Sequence, residues 1–170
     1  MTRTQPPAYR AAVESLYPVA YACKFLAKDL DRDYRVMPLE AQWWSDDMDS
    51  FTVSRDKSRW SWTVMIMVPD WLTDDHLRQA TAAVHRRRGA LPLPVRRESL
   101  DEGLAAQILH LGPYDDEGPV LAALHEDFLP ANGLRMTGHH HEIYLSDPRR
   151  TAPERLRTIL RQPVERVHVR

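Results

Sequence analysis

The stretch that decides the fold lies near the end of the chain and reads His139-His140-His141-Glu142-Ile143-Tyr144-Leu145-Ser146. From Glu142 onwards, polar and apolar side chains alternate, as they do along a strand with one buried face. Side chains two positions apart on a strand lie about 7 Å from each other on the same face. The sequence therefore predicts a strand from His140 to Ser146, with Glu142 and Tyr144 side by side.

Glu142 and Tyr144 are the candidate catalytic residues of this strand. A carboxylate in a dry aromatic cavity is driven towards its neutral form, which makes it a better base near neutral pH. Tyr144 could then donate a hydrogen bond to an oxyanion that develops on a bound molecule. The alternative is that Glu142 pairs with an arginine and that the strand merely faces solvent.

The elements predicted on either side of this strand do not alternate strictly between helix and strand. They are a helix beginning at Pro6-Pro7, strands at 34–44 and 60–68, a helix from Thr73 to Gly89, a strand at 104–111, a helix at 119–129 and a segment at 156–164 that is ambiguous between helix and strand. This order favours an α+β fold with an antiparallel sheet over a parallel doubly wound sheet. We expect a single domain spanning residues 1–170.

Two of the predicted helices carry specific expectations. Pro18 lies inside the first helix and should kink or split it, because proline lacks a backbone N–H and clashes with the preceding turn. In the helix at 119–129, Leu121, Leu124 and Phe128 should point inward.

Aromatic side chains are numerous, with five tryptophans and six tyrosines in 170 residues. Large rings fill α+β cores well and need no ligand to explain them, so most of them could simply be core. Glu40 shares a strand face with Gln42 and Trp44, and a carboxylate beside tryptophan suits a cationic lipophilic ligand. The alternative for Glu40 is that it points to water beside an edge strand.

Composition and motifs exclude several classes of function. Charged residues make up 28% and the net charge is −1, which favours neither nucleic acid nor an anionic membrane as partner. The single cysteine, Cys23, excludes an internal disulfide and indicates a reducing compartment, so we expect a cytoplasmic protein. The histidine triplet is a poor metal site because adjacent strand residues point to opposite faces. We therefore expect no metal and no cofactor, and we interpret the basic run His85-Arg86-Arg87-Arg88 as a solvated helix end.

Several motifs together resemble the GyrI-like small-molecule-binding superfamily. The most specific is His140-His141-Glu142-Ile143-Tyr144-Leu145-Ser146-Asp147-Pro148, and others follow in the same order as in that family: Leu16-Tyr17-Pro18-Val19-Ala20-Tyr21, Val36-Met37-Pro38-Leu39-Glu40, Trp62-Thr63-Val64-Met65-Ile66-Met67, His110-Leu111-Gly112-Pro113-Tyr114 and Thr158-Ile159-Leu160-Arg161-Gln162-Pro163-Val164. The same fold serves as the effector-binding domain of MerR- and AraC-type regulators.

The resemblance implies two pseudo-symmetric strand-helix-strand-strand modules with a ligand cleft between them, and a final strand at about 158–164. It also implies multidrug-type binding of flat lipophilic aromatic or cationic molecules. The ligand-binding residues would be Glu40, Trp43, Trp44, Tyr21, Trp62, Trp71 and Tyr114. Some members of the family hydrolyse the cyclopropane ring of cyclopropanoid DNA-alkylating antibiotics, and Glu142 and Tyr144 would be the catalytic residues of such a reaction.

One departure from the family is expected at the N-terminus. Members usually carry a strand before the first helix, whereas this chain starts almost at the helix, so the first strand would be absent. The sheet edge left open would invite pairing with another chain, which suggests a homodimer. Three functions follow as alternatives: a binding module, a hydrolase that opens strained rings by adding water, and a protein-interaction role such as gyrase inhibition.

Overall fold

The computed structural model describes residues 7–45 and 60–167. Its helices and strands are α1 (Pro7–Asp29), β1 (Leu39–Trp44), β2 (Ser61–Ile66), α2 (Asp74–Arg88), β3 (Ala105–Leu111), β4 (Leu134–Met136), β5 (His140–Tyr144) and β6 (Arg157–Arg166), with the helical segment α3 between β3 and β4. Short 3-10 turns lie at Tyr114–Asp116 and Pro153–Arg155. The segment 46–59 between β1 and β2 lies outside the described residues.

The strands form one six-stranded sheet in the order β2-β1-β5-β6-β3, with β4 paired to β6. The pairs β1–β5, β5–β6, β3–β6 and β4–β6 are all antiparallel. The α+β prediction with an antiparallel sheet is therefore confirmed, as is the final strand. The strand β4 was not predicted, because three residues are too few for a period-two pattern to stand out.

The first strand is shorter than predicted. The residues from Tyr34 to Pro38 belong to no strand, and β1 begins only at Leu39. Pro38 has no N–H to donate to a neighbouring strand, which explains why regular pairing starts after it.

The first helix runs without interruption through Pro18, so the prediction that proline would split it is wrong. The cost of the missing hydrogen bond is offset by the residues that follow, since Val19, Ala20 and Cys23 are all buried. Burial also raises the pKa of the Cys23 thiol to about 11, which leaves it protonated and unreactive at neutral pH.

The second helix begins and ends as predicted. Thr73 is its N-cap, with a side chain that accepts a hydrogen bond from the backbone N–H of His76. Gly89 follows the last turn with a positive φ of 84°, a conformation that favours glycine.

The third helical segment, α3, consists of Gly118–Ala122 (α-helix), Ala123–Phe128 (π-helix) and Leu129–Ala131 (α-helix). Leu121 and Leu124 are buried as expected, but Phe128 is 49% exposed, so the prediction for Phe128 is wrong. The wider π turn explains the difference, because it makes Leu129, five positions after Leu124, the next buried residue.

The chain divides into two compact units, one formed by Met1–Pro38 and Val64–Leu100 and the other by Leu39–Thr63 and Asp101–Arg170. In the first unit, α1 and α2 pack through a core that contains Val19, Cys23, Leu72, Ala80 and Val84. In the second unit, Leu124 and Leu129 of α3 pack on Val164 of β6. Among the described residues, no helix has the length and apolar character needed to cross a membrane.

We predict that Leu160→Ala lowers the free energy of unfolding by about 2–5 kcal/mol, the usual cost of a cavity in a packed core. Leu160 is fully buried in β6, between Glu142 of β5 and Ile108 of β3. The matched control is Leu109→Ala in β3, where the side chain is 44% exposed and should cost far less. Chemical denaturation measures both, and equal losses would contradict the assigned core.

Candidate functional site

Two ionisable clusters lie on opposite faces of the sheet in the second unit. In the β1–β5 register, Ala41 is opposite Glu142, whereas Glu40 is opposite Ile143. Directly paired residues project to the same face, and successive residues project to opposite faces. Glu40 and Glu142 therefore point away from each other and belong to separate sites.

The cluster on the first face, called the Glu142 site, consists of Glu142 with Tyr144, Trp43, His140 and Tyr114. The hydroxyl of Tyr144 donates a 2.6 Å hydrogen bond to Oε2 of Glu142. The indole N–H of Trp43 donates to the Tyr144 hydroxyl oxygen at 3.2 Å. Glu142 is buried, with 7% exposure, and Tyr144 and Trp43 are half-buried, so a carboxylate is held at the base of an aromatic group of side chains.

The two carboxylate oxygens of Glu142 have different neighbours. Oε2 is bound by Tyr144, whereas Oε1 lies 3.5 Å from Nε2 of His140. A tyrosine has one hydroxyl proton, and that proton is directed at Glu142. Tyr144 could donate to an oxyanion on a ligand only after its hydroxyl turned away from the carboxylate. A proton accepted at Oε1 would leave the Tyr144 hydrogen bond to Oε2 in place.

Aromatic rings meet at right angles around the Glu142 site. Tyr114 lies edge-to-face against Tyr144, with ring centroids 5.6 Å apart and an angle of 80°. Trp43 meets Trp60 at 6.0 Å and 66°. This arrangement is favourable for the rings themselves.

The sequence-based prediction overlooked two histidines of this face. His140 lies two positions before Glu142 on the same strand face, and neither of its ring nitrogens makes a hydrogen bond to another described residue. His125, from the π turn of α3, lies edge-to-face against His140 at 6.3 Å. Burial, with a smaller effect of the charge on His140, lowers the pKa of His125 to about 4, so His125 is neutral at physiological pH.

On the opposite face, His141 lies between two carboxylates. Its Nδ1 is 2.9 Å from Oε2 of Glu102, and its Nε2 is 2.9 Å from Oε2 of Glu40. Arg161 and Gln42 also contact the Glu102 carboxylate, both at 3.3 Å. An imidazolium and a guanidinium thus balance two carboxylates, and we call this group the His141 network.

The pKa values in the His141 network follow from competing effects. Burial alone would lower the pKa of His141, but its contacts with Glu40 and Glu102 and their negative charges outweigh burial and raise it above 6.5. For Glu102, burial alone would raise the pKa, but hydrogen bonds from His141, Arg161 and Gln42 lower it below 4.5. The network is thus internally satisfied as ion pairs.

The remaining predicted ligand-binding residues are distributed over the molecule. Trp44 stacks face-to-face on His139 at 4.2 Å, on the same sheet face as Glu40. Trp62 is half-buried in β2. Tyr21 and Trp71 belong to the first unit, where Trp71 packs against the core and under the guanidinium of Arg32. Of the predicted set, the structure brings together Glu142, Tyr144, Trp43 and Tyr114.

The three consecutive histidines have separate environments. His139 stacks on Trp44, while His140 and His141 project to opposite faces of β5. Within the ranges 7–45 and 60–167, no group of three or more histidine, cysteine or acidic side chains is arranged to hold a metal ion.

Comparisons with known proteins identify the family. The model of the GyrI-like small molecule binding domain matches residues 3–165. A crystal structure of an uncharacterized conserved protein from Listeria innocua is similar, with 36% identity and a TM-score of 0.84 over 94% of this chain and 81% of that one. A crystal structure of a hydrolase from Listeria innocua has 36% identity and a TM-score of 0.78 over 92% and 79% of the two chains. No protein with curated function matches.

We predict that His141→Gln costs about 3–5 kcal/mol of stability near pH 6, because it leaves the buried Glu40 without its cation and Glu102 with Arg161 alone. A raised pKa contributes stability that is fully present below the unfolded value of 6.5 and is lost as pH rises through the folded value. The difference between wild type and variant should therefore shrink from pH 6 to pH 9, as measured by denaturation at each pH.

The control for this experiment is His139→Gln, which changes an exposed neighbouring histidine. At acid pH, the lowered pKa of Glu102 contributes stability that is present above 4.5, the unfolded value, and is lost as pH falls. The network therefore stabilises the fold most between the unfolded pKa values of Glu102 (4.5) and His141 (6.5). A cost of His141→Gln that does not change with pH would contradict the charged state assigned to the network.

Proposed function

Because the chain belongs to the GyrI-like small molecule binding domain family, we propose that it binds a flat lipophilic aromatic molecule at the Glu142 site. The observation that carries this proposal is the part-buried hydrogen bond between Tyr144 and Glu142, with Trp43 and Tyr114 both in contact with Tyr144. The rings provide apolar contact area, and the carboxylate provides a charge that selects among ligands of similar shape.

The expected preference is for aromatic cations. Charges interact more strongly where water is excluded, and Glu142 is only 7% exposed. A cation over an aromatic ring gains about 0.5–2 kcal/mol from the ring itself. An anion of the same shape would be repelled by the Glu142 carboxylate, so ligand charge distinguishes this site from a purely hydrophobic one.

We predict that Glu142→Gln weakens binding of a flat aromatic cation about tenfold or more while leaving a neutral molecule of the same shape almost unaffected. Tenfold corresponds to about 1.4 kcal/mol, a modest share of a buried charge interaction. Quenching of tryptophan fluorescence measures both affinities, since Trp43 lies in the site. Glu154→Gln, an exposed carboxylate in the turn before β6, is the control. Equal weakening of both ligands would exclude a charge role for Glu142.

A second function, hydrolysis of a cyclopropanoid alkylating agent, is supported by the position of Oε1 of Glu142, 3.5 Å from Nε2 of His140, and by a similar structure named as a hydrolase. Oε1 of Glu142 would remove a proton from water as the water oxygen attacks a ring carbon. The strained C–C bond breaks, and its electron pair moves to the conjugated carbonyl oxygen. The resulting phenolate then takes the proton from Glu142, so that the net reaction is addition of one water.

The other residues of the site would assist this reaction by position. Tyr144 holds Oε2 and so presents Oε1 to water, while Trp43 in turn fixes the Tyr144 hydroxyl. His140 lies beside Oε1 and can share the proton that Glu142 gains. General-base assistance of this type contributes about 10²–10⁴-fold to a rate.

We predict that Glu142→Gln lowers kcat/KM for an uncharged cyclopropanoid substrate at least 100-fold while the affinity for that substrate is retained, whereas Tyr144→Phe causes a smaller loss. Mass spectrometry should show a ring-opened product whose mass is that of the substrate plus one water. If the compound is still intact after prolonged incubation with wild-type protein, hydrolysis is excluded and the proposed function is binding alone. Undiminished turnover by Glu142→Gln would exclude Glu142 as the base.

A further inference from the structure

A groove outside the Glu142 site lies between the two helices of the first unit. It has a volume of about 320 Å³ and is formed by α1 on one side and the last turns of α2 on the other. Its base contains the short side chains of Ala22 and Ala83, which leave room between the helices. Ligand pockets begin at about 300 Å³, so the groove accommodates one small ring system.

Three aromatic side chains line the α1 side of this groove. Tyr17, Tyr21 and Phe25 are spaced four residues apart and therefore project from the same helix face. Tyr21 is 50% exposed and Phe25 is 55% exposed. These rings contribute apolar surface at the groove that the core of the first unit does not use.

Two arginines, Arg87 and Arg88, line the opposite side of the groove. Among the described residues, no carboxylate lies within ion-pair distance of either guanidinium. Lys24, close to Phe25, differs because its amine pairs with Asp33 at 2.8 Å. The helix dipole accounts for cations in the last turn of α2, but it does not account for aromatic rings facing them.

We propose that this groove binds a flat aromatic carboxylate. The ring of the ligand would lie on Tyr21 and Phe25, and its carboxylate would be held by Arg87 and Arg88, since a guanidinium matches a carboxylate in both charge and geometry. The proposal goes beyond the function proposed for the Glu142 site, where an anion is disfavoured. The two sites thus select opposite ligand charges.

The test is isothermal titration calorimetry with 2-naphthoate as the probe and 2-naphthamide as the neutral molecule of the same shape. Naphthoate should bind at least tenfold more tightly than naphthamide, and added salt should weaken it. The double substitution Arg87→Gln and Arg88→Gln should abolish this preference. Arg86→Gln is the matched control, since Arg86 belongs to the same basic turn but does not line the groove.

Further variants separate this site from the other one. Phe25→Ala should weaken both probes, with far-UV circular dichroism confirming that the helices are retained. The double substitution Arg87→Gln and Arg88→Gln should leave the affinity for a flat aromatic cation at the Glu142 site unchanged. The proposal is overturned if naphthoate and naphthamide bind equally, or if Arg86→Gln weakens naphthoate binding as much as the double substitution does. It is also overturned if the wild-type protein is a dimer that does not bind naphthoate and Phe25→Ala converts it to a monomer, because a second copy of the chain would then occupy the groove.

Discussion

The hydrogen bond from Tyr144 to Glu142 is the interaction on which the function proposed for the second unit depends. It is short, 2.6 Å, and it joins two side chains that project from the same face of one strand. Because β5 is paired on both sides, to β1 and to β6, its backbone alternation is fixed. The same constraint that brings Glu142 and Tyr144 together sends His141 to the opposite face, so one strand serves two clusters of different character.

The two clusters differ in how their charges are satisfied. In the His141 network, two cations face two carboxylates, and every charge has a partner of opposite sign within the protein. Such a group holds Glu102, from the segment before β3, against β1 and β5, and it offers little to a ligand. In the Glu142 site, a carboxylate is surrounded by aromatic rings, a phenol and an imidazole. These groups can polarise or position a bound molecule, which is why we assign function to this face.

Much of the fold and part of the site could be predicted from the sequence. The period of two along β5 places Glu142 beside Tyr144, and the cap residues Thr73 and Gly89 mark the ends of α2. His140 carries the same signal, since it lies two positions before Glu142 on the same face of β5.

Other features depend on tertiary structure that no local pattern records. Glu102 lies outside any strand and 39 positions before His141, so their contact could not be predicted from spacing. The exposure of Phe128 and the position of His125 both depend on a π turn, which inserts one extra residue into a helical period. The neighbours of Glu40 and Trp44 could not be predicted either. Alternation along β1 predicts that these two side chains share a face, but it does not predict that His141 contacts Glu40 or that His139 stacks on Trp44.

The most direct test of the account is a crystal structure of the protein bound to a flat aromatic cation. We expect the ligand rings to contact Trp43, Tyr114 and Tyr144, with the cationic group nearest the Glu142 carboxylate. An ordered ligand bound elsewhere, with the Glu142–Tyr144 hydrogen bond untouched by any ligand atom, would contradict the assignment of Glu142 as the functional carboxylate.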